Sequence, residues 1–163
     1  MSAQEKRVEP ADAARLAQAN INPSTGLATD YLNHFNEAVM LLEMLPDSPE
    51  CLDDFLAWQP KSYREHFAGS RFADRELAIE AYETADPTAR HCLDALADTM
   101  TEMLQAARLT MRDDLHPSHT ARLAARTATS LKPLIARAGA VINGEAGTEA
   151  DAPQLAVDLL MKR

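Results

Sequence analysis

The chain contains few of the residues that build β-sheets, turns and disulfide frameworks. It has 163 residues, with only 5 glycines, 2 cysteines and an aromatic fraction of 5%. Strands are normally rich in β-branched and aromatic residues, and no run of roughly four to eight residues alternates in the required way. These shortages argue against a β-sheet protein and against a small fold held together by disulfides.

Long hydrophobic runs and targeting segments are also missing. No apolar run approaches the roughly 20 residues that cross a bilayer, and the first ten residues, MSAQEKRVEP, lack the apolar core of a signal peptide. Cys51 and Cys92 each lie among apolar residues of a predicted helix and form no Cys-x-x-Cys pair. That pattern is typical of buried thiols in a reducing compartment, so we expect a cytoplasmic protein.

Positive charge is in short supply, with 16 Lys and Arg against 25 Asp and Glu and a formal net charge of −9. An acidic surface repels phosphate groups, so we expect neither nucleic acid nor an anionic membrane as a partner. The motifs of P-loop, dinucleotide-binding, zinc-protease and serine-hydrolase sites are absent. The sequence therefore indicates no recognisable enzyme chemistry, and it leaves open whether the protein is an enzyme.

What is abundant favours helix, because Ala, Leu, Glu, Arg and Met dominate the chain. We expect an all-α helical bundle of about six to eight helices, with two or three long antiparallel helices and several short ones. Residues 10–144 would form a single bundle domain after a disordered N-terminus at 1–9. An acidic, flexible linker at 145–152 and a C-terminal amphipathic helix at 153–163 would follow.

Three apolar seams predict the core of the bundle. Their residues recur at three-four spacing in the segments 30–45, 86–112 and 118–143. The seams are Tyr31, Phe35, Ala38, Leu42 and Leu45; then Ala89, Leu93, Leu96, Met100, Met103, Ala107 and Thr110; then Thr120, Ala124, Thr127, Leu131, Leu134, Ala138 and Val141. We interpret the methionines, including Met40 and Met44, as core filler.

Local signals predict where several helices begin and end. Asp86 and Pro87 predict a capped start, and Asp47 is expected to cap a short helix. Gly69 predicts a left-handed C-cap. Pro133 falls inside the last seam, whose register continues across it, so a kink is expected rather than a break.

Two groups of side chains could bind a divalent metal ion. The first is Asp113, Asp114, His116 and His119, whose carboxylates and imidazoles suit Zn, Ni, Mn or Fe. The second is Asp30, His34 and Glu37, spaced to lie along one side of a helix. The simpler interpretations are a solvated helix junction in the first case and a solvated helix face in the second.

Most of the aromatic residues are concentrated between residues 55 and 72, interleaved with cations. They would form a ligand pocket or a partner-docking surface with a cationic rim, or else a local core beneath short helices. The residues of that predicted surface are Phe55, Trp58, Tyr63, Arg64, His66 and Phe67.

Charge is unevenly distributed along the chain. Residues 37–57 contain six acids and no Lys or Arg, whereas residues 115–144 contain Lys132 and three arginines but no acid. The two stretches would match each other within the chain or across a dimer, or they would face a charged partner.

We expect a non-enzymatic regulatory or protein-interaction domain, acting as a homodimer or with another protein. The second hypothesis is a metal-binding sensor or metal-dependent enzyme that uses an Asp/His cluster. The third is a small-molecule sensor with a pocket beneath Trp58 and Tyr63.

Overall fold

The computed structural model describes residues 10–113 and 116–145. Within these residues the chain forms seven α-helices, which confirms the all-α bundle. They are α1 (Pro10–Gln18), α2 (Leu32–Met44), α3 (Cys51–Ala57), α4 (Tyr63–Ala68), α5 (Arg75–Glu83), α6 (Pro87–Arg112) and α7 (Pro117–Ile142). A 3-10 turn at Thr29–Tyr31 leads into α2. The segments predicted at 1–9 and 153–163 lie outside the described residues, as does the predicted linker 145–152 apart from Glu145.

Helix α7 is the centre of the bundle, because it packs against both α6 and α2. Helices α6 and α7 have 26 residues each and follow each other directly in the chain, so they form an antiparallel pair. Helix α2 also runs antiparallel to α7. Glu43 near its end contacts Lys132 at 2.8 Å, whereas Leu32 at its start lies beside Gly139.

The predicted seam of α7 is buried at all seven positions, and so is the predicted seam of α2. The predicted seam of α6 is buried at Leu93, Leu96, Met100 and Ala107, whereas Ala89 and Met103 are half-buried and Thr110 is exposed. Further along, Leu104 and Met111 are buried in place of Met103 and Thr110. An α-helix has 3.6 residues per turn, so a straight helix drifts away from a strict seven-residue pattern. The predictions of Met103 and Thr110 as core residues were therefore wrong by one position, whereas the prediction of Ala107 was correct.

The helix ends show which local signals were correct. Asp86 caps α6 as predicted, with its carboxylate accepting a hydrogen bond from the Ala89 N–H at 2.9 Å. Helix α7 continues unbroken through Pro133, which is exposed. Two predictions were wrong. Gly69 is the C-cap of α4 as predicted, but its φ of −95° is not left-handed. Asp47 makes no cap, since α3 begins only at Cys51.

The connection between α1 and α2 contributes side chains to the core of the fold, although Asn20, Ser24 and Thr29 stay exposed. Ile21, Leu27 and Ala28 are almost fully buried. The Thr25 hydroxyl donates to the Ile142 carbonyl at the end of α7 (2.6 Å), and the Thr25 carbonyl accepts from the Asp86 N–H at the start of α6 (3.0 Å). We call residues 19–31 the inner loop. It ties the ends of α6 and α7 to the start of α2.

None of the helices in the described ranges combines the length and apolarity that crossing a membrane requires.

Candidate functional site

The aromatic residues between positions 55 and 72 belong mainly to the interior. Phe55, Phe67, Trp58 and Tyr63 are all buried. Of the six residues in the predicted aromatic surface, Arg64 is exposed, His66 is partly exposed and the other four are buried. Short helices have little area of their own, and large aromatic side chains supply most of the packing between them. The geometry therefore matches the local-core alternative, and a partner at this place would touch mainly the cationic rim.

The small-molecule hypothesis places a pocket beneath Trp58 and Tyr63, and one face of each of these rings is covered by another ring of the protein. Trp58 stacks on His34 with ring centroids 4.5 Å apart, and Tyr63 stacks on Tyr82 at the same separation. The Trp58 indole N–H also donates to the His34 carbonyl at 3.2 Å. A small molecule beneath Trp58 and Tyr63 would have to displace these contacts, so that pocket stays an untested prediction.

His34 lies in the interior rather than on a solvated face, since only 5% of it is exposed. Its Nε2 accepts a hydrogen bond from the Lys61 N–H at 3.1 Å, which requires the neutral ring to carry its proton on Nδ1. Burial, with help from the nearby charges of His66 and Lys61, lowers the pKa of His34 to about 4. The ring is thus held neutral, and the nitrogen available for a metal is already engaged.

The predicted metal stripe of Asp30, His34 and Glu37 is not brought together. Asp30 turns to His66, whose Nε2 lies 2.9 Å from its carboxylate, and it accepts a second bond from the Asn33 amide at 3.2 Å. Glu37 is exposed, whereas His34 faces inward. Helical spacing placed the three on neighbouring rows, but the apolar stripe of α2 is wide enough to include His34.

The other predicted metal cluster, which consists of Asp113, Asp114, His116 and His119, belongs to the junction of α6 and α7. His116 is the N-cap of α7, with its Nδ1 accepting from the Ser118 N–H at 3.2 Å, and the His116 and His119 rings are 5.8 Å apart. Asp114 lies outside the described residues. Among the residues that are described, no three His, Cys, Asp or Glu side chains are grouped closely enough to hold a metal ion. Metal binding at Asp113–His119 stays a prediction.

Tyr63 links the aromatic cluster to the inner loop. Its hydroxyl oxygen accepts a hydrogen bond from the buried Ala28 N–H at 2.9 Å, and burial raises the pKa of its phenol. The Tyr63 ring also contacts the Tyr31 ring at 5.2 Å. This hydroxyl is therefore the partner of a backbone group that water cannot reach.

Replacing Tyr63 with phenylalanine is expected to lower the free energy of unfolding by about 2 kcal/mol, because the Ala28 N–H would be left buried without an acceptor. Urea unfolding of both proteins measures the change. The control is Tyr82→Phe, whose half-buried hydroxyl donates to the Asp94 carboxylate and is replaceable by water. Equal losses in the two variants would contradict this role for Tyr63.

Sequence reasoning missed a groove on the outside of α2 and α7. It has a volume of about 720 Å³ and runs from Asn36 and Ala136 to Asp47 and Ser48. Met40 is 54% exposed and Met44 45% exposed along it, so their interpretation as core filler was wrong. The signal was present, because Met40 and Met44 are one turn apart and lie outside the buried seam of α2.

The groove has an apolar floor and a charged edge. Val39 and Ile135 contribute to the floor from α2 and α7 respectively. At the edge, Lys132 pairs with Glu43 at 2.8 Å, which joins the acidic stretch of the chain to the basic one. Both side chains are about half exposed, so this ion pair adds little stability and is easily rearranged. We call this feature the α2–α7 groove.

Comparison of the chain with protein-family models, with curated proteins and with solved structures finds no match in any of the three.

Proposed function

We propose that the chain is a non-enzymatic, cytoplasmic protein-interaction domain that binds an amphipathic helix of a partner protein in the α2–α7 groove. The observation that carries this proposal is the pair of exposed methionines, Met40 and Met44, above an apolar floor. Exposed apolar grooves of this kind commonly accept the apolar face of a partner helix.

Methionine suits such a surface for a physical reason. Its side chain is unbranched, flexible and polarisable, so it adapts to partner side chains of different shapes. Met40 and Met44 lie on successive turns of α2, and Ile135 faces them from α7. A bound helix with apolar residues on successive turns would cover all three. That arrangement is the usual pattern of helix-in-groove recognition.

Negative charge at one end of the α2–α7 groove indicates which end of the partner helix is basic. Asp47 lies where the groove meets the C-terminal end of α2, and the carbonyl groups of that helix end carry partial negative charge. A partner helix with Lys or Arg at the end nearest Asp47 would complement this side. A second copy packed in parallel on the groove would instead bring Asp47 against Asp47.

The test uses a displayed library of helical peptides selected on the full chain, followed by affinity measurements with the enriched peptides. We expect those peptides to be amphipathic and basic at one end. The double substitution Met40→Glu and Met44→Glu should weaken their binding by roughly a hundredfold, because it places two charges in the apolar contact. Leu109→Glu is the matched control, since Leu109 is 64% exposed on α6.

Three results would overturn the proposal. Equal binding by the double variant and the Leu109 variant would remove the groove from the interaction. Native mass spectrometry could show a dimer for the parent chain and a monomer for the double variant. That result would mean that the groove binds a second copy of the chain. If a chain lacking residues 146–163 binds the peptides roughly tenfold more tightly, the occupant is the chain's own tail.

A further inference from the structure

A second concavity lies where the inner loop meets the ends of α2 and α7. Its volume is about 420 Å³, within the roughly 300–1,000 Å³ usual for small-molecule sites. Its walls come from four separate parts of the chain: the inner loop, the first turn of α2, Phe72 before α5 and the last residues of α7. We call it the asparagine pocket, because its polar lining includes Asn20, Asn22, Asn33 and Asn143.

Carboxamides dominate this lining, and each offers both donors and an acceptor. Part of this capacity is free for a ligand. The side-chain Oδ1 of Asn22 accepts from the Ser24 and Thr25 N–H groups, which orients that side chain, and no described residue bonds its NH₂ group. In the part of the chain that the structure describes, no hydrogen bond engages the side-chain carboxamides of Asn20 or Asn143, although the backbone N–H of each bonds within its helix end. The wall is therefore rich in donors and acceptors alike.

The charges around the asparagine pocket select against anions. Asp30 is the charged side chain in its lining, and His66 and Asn33 hold its carboxylate in place. No Lys or Arg lines the pocket within the described residues. The C-terminal end of α7 also faces it through Ile142 and Asn143, and that helix end is partially negative. Phosphate and carboxylate groups would meet repulsion from both.

The floor of the asparagine pocket is apolar. Ile21, Leu27 and Ile142 are at most 1% exposed and form its base, and Phe72 contributes a half-buried ring at its side. A ligand that fits this combination has hydroxyl groups around its edge and C–H groups on its faces. An organic ammonium would use the acceptors of the wall but leave the carboxamide N–H groups without partners.

We propose that the asparagine pocket binds a neutral polyhydroxylated molecule of the sugar class. Hydroxyl groups would donate to Asp30 and accept from the NH₂ groups of Asn22 and Asn143, and the C–H face would pack on Phe72. This inference is independent of the α2–α7 groove, whose residues lie elsewhere on α2 and α7.

The side-chain NH₂ signals of asparagine in ¹H–¹⁵N spectra of the full chain report on this pocket directly. Glucose and maltose are the probes, and the phosphorylated and amino derivatives of glucose are the charged controls. We expect saturable shifts of the Asn20, Asn22, Asn33 and Asn143 signals with a neutral sugar below about 50 mM. Asn33→Ala and Asn143→Ala should each weaken binding by roughly tenfold, whereas Asn36→Ala, an exposed site in the α2–α7 groove, should not.

Several outcomes would overturn this proposal. The first is the absence of saturable shifts with both neutral sugars. Equal binding of the phosphorylated sugar would show an anion site, and much tighter binding of the amino sugar would show an ammonium site. Unchanged affinity in the Asn33 and Asn143 variants would place the sugar elsewhere. The Met40→Glu and Met44→Glu protein should bind sugar normally, so failure of the groove proposal and failure of this one are distinguishable.

Discussion

Replacing Gly26 with alanine is expected to lower the free energy of unfolding by about 3 kcal/mol. Gly26 has φ +77°, a left-handed conformation that alanine adopts at a cost of roughly 1–2 kcal/mol. The added Cβ would lie 3.0 Å from the Ala81 carbonyl oxygen and 3.1 Å from the Ala85 Cα. Both are backbone atoms, so the neighbouring chain cannot simply turn a side chain away.

The position of Gly26 explains why strain there would spread. It lies between Thr25, which bonds the ends of α6 and α7, and Leu27, which is fully buried. Moving the inner loop to relieve the contact with Ala85 would weaken those bonds and disturb Leu27. Urea unfolding followed by circular dichroism measures the loss.

Gly139→Ala is the matched control, because it makes the same chemical change at a position with room. A Cβ at Gly139 would lie 3.7 Å from Leu32, an ordinary van der Waals contact. Gly139 is also inside α7, where alanine is favoured over glycine, so stability should rise by up to about 1 kcal/mol. Effects of the same sign at Gly26 and Gly139 would contradict this account of the inner loop.

The sequence was most informative where one local rule acted alone. Helix α7 has small and apolar residues in strict three-four alternation, and all seven predicted positions are buried. The cap at Asp86 followed from the side-chain chemistry of two adjacent residues. Such features depend on the chain within a few residues, so periodicity and capping rules are sufficient to find them.

Prediction was poorer where tertiary packing selects among local options. The Asn, Pro and Gly residues of segment 20–26 indicate a turn, but they do not show that Thr25 is buried and bonded, because its partners Asp86 and Ile142 are far away in sequence. Helical spacing from Asp30 and Glu37 predicted that His34 lies on a polar face. Its burial depends on Trp58, which arrives from α3, and single-helix patterns cannot show that.

The candidate sites illustrate the same limit. The spacing of Met40 and Met44 places them outside the seam of α2, but the groove beside them exists only because α7 packs next to α2. The four asparagines of the asparagine pocket come from positions 20 to 143 of the chain. Nothing local in the sequence brings them together, since the inner loop and the end of α7 meet only through tertiary contacts such as that between Thr25 and Ile142.

Acid is expected to destabilise the protein through His34 by about 3 kcal/mol between pH 7 and pH 4. Burial lowers the pKa of this histidine to about 4 in the fold, against 6.5 for an exposed imidazole. The fold therefore favours the neutral ring. Its contribution is fully present above pH 6.5 and is lost as the pH falls towards 4, because the unfolded chain takes up the proton first.

The contacts of His34 explain why the fold rejects the proton. Protonated Nε2 would point a hydrogen at the Lys61 N–H, which now donates to it at 3.1 Å. The charged ring would also lie between the Trp58 ring and His66, whose own positive charge opposes a second one nearby. Glu65 acts in the opposite direction and reduces the shift.

The experiment compares the parent chain with His34→Gln from pH 7.5 to pH 4.5 by urea unfolding. Glutamine can still accept from the Lys61 N–H but takes up no proton, so its stability should exceed or approach that of the parent chain as the pH falls. His91→Gln is the control, because His91 is exposed on α6. Loss of the Trp58 stacking alone would lower stability equally at every pH. A difference in unfolding free energy between parent and His34→Gln that stays constant with pH would therefore contradict a proton-linked role for His34. A difference that narrows towards pH 4.5 would show that protonation of this ring destabilises the fold in acid.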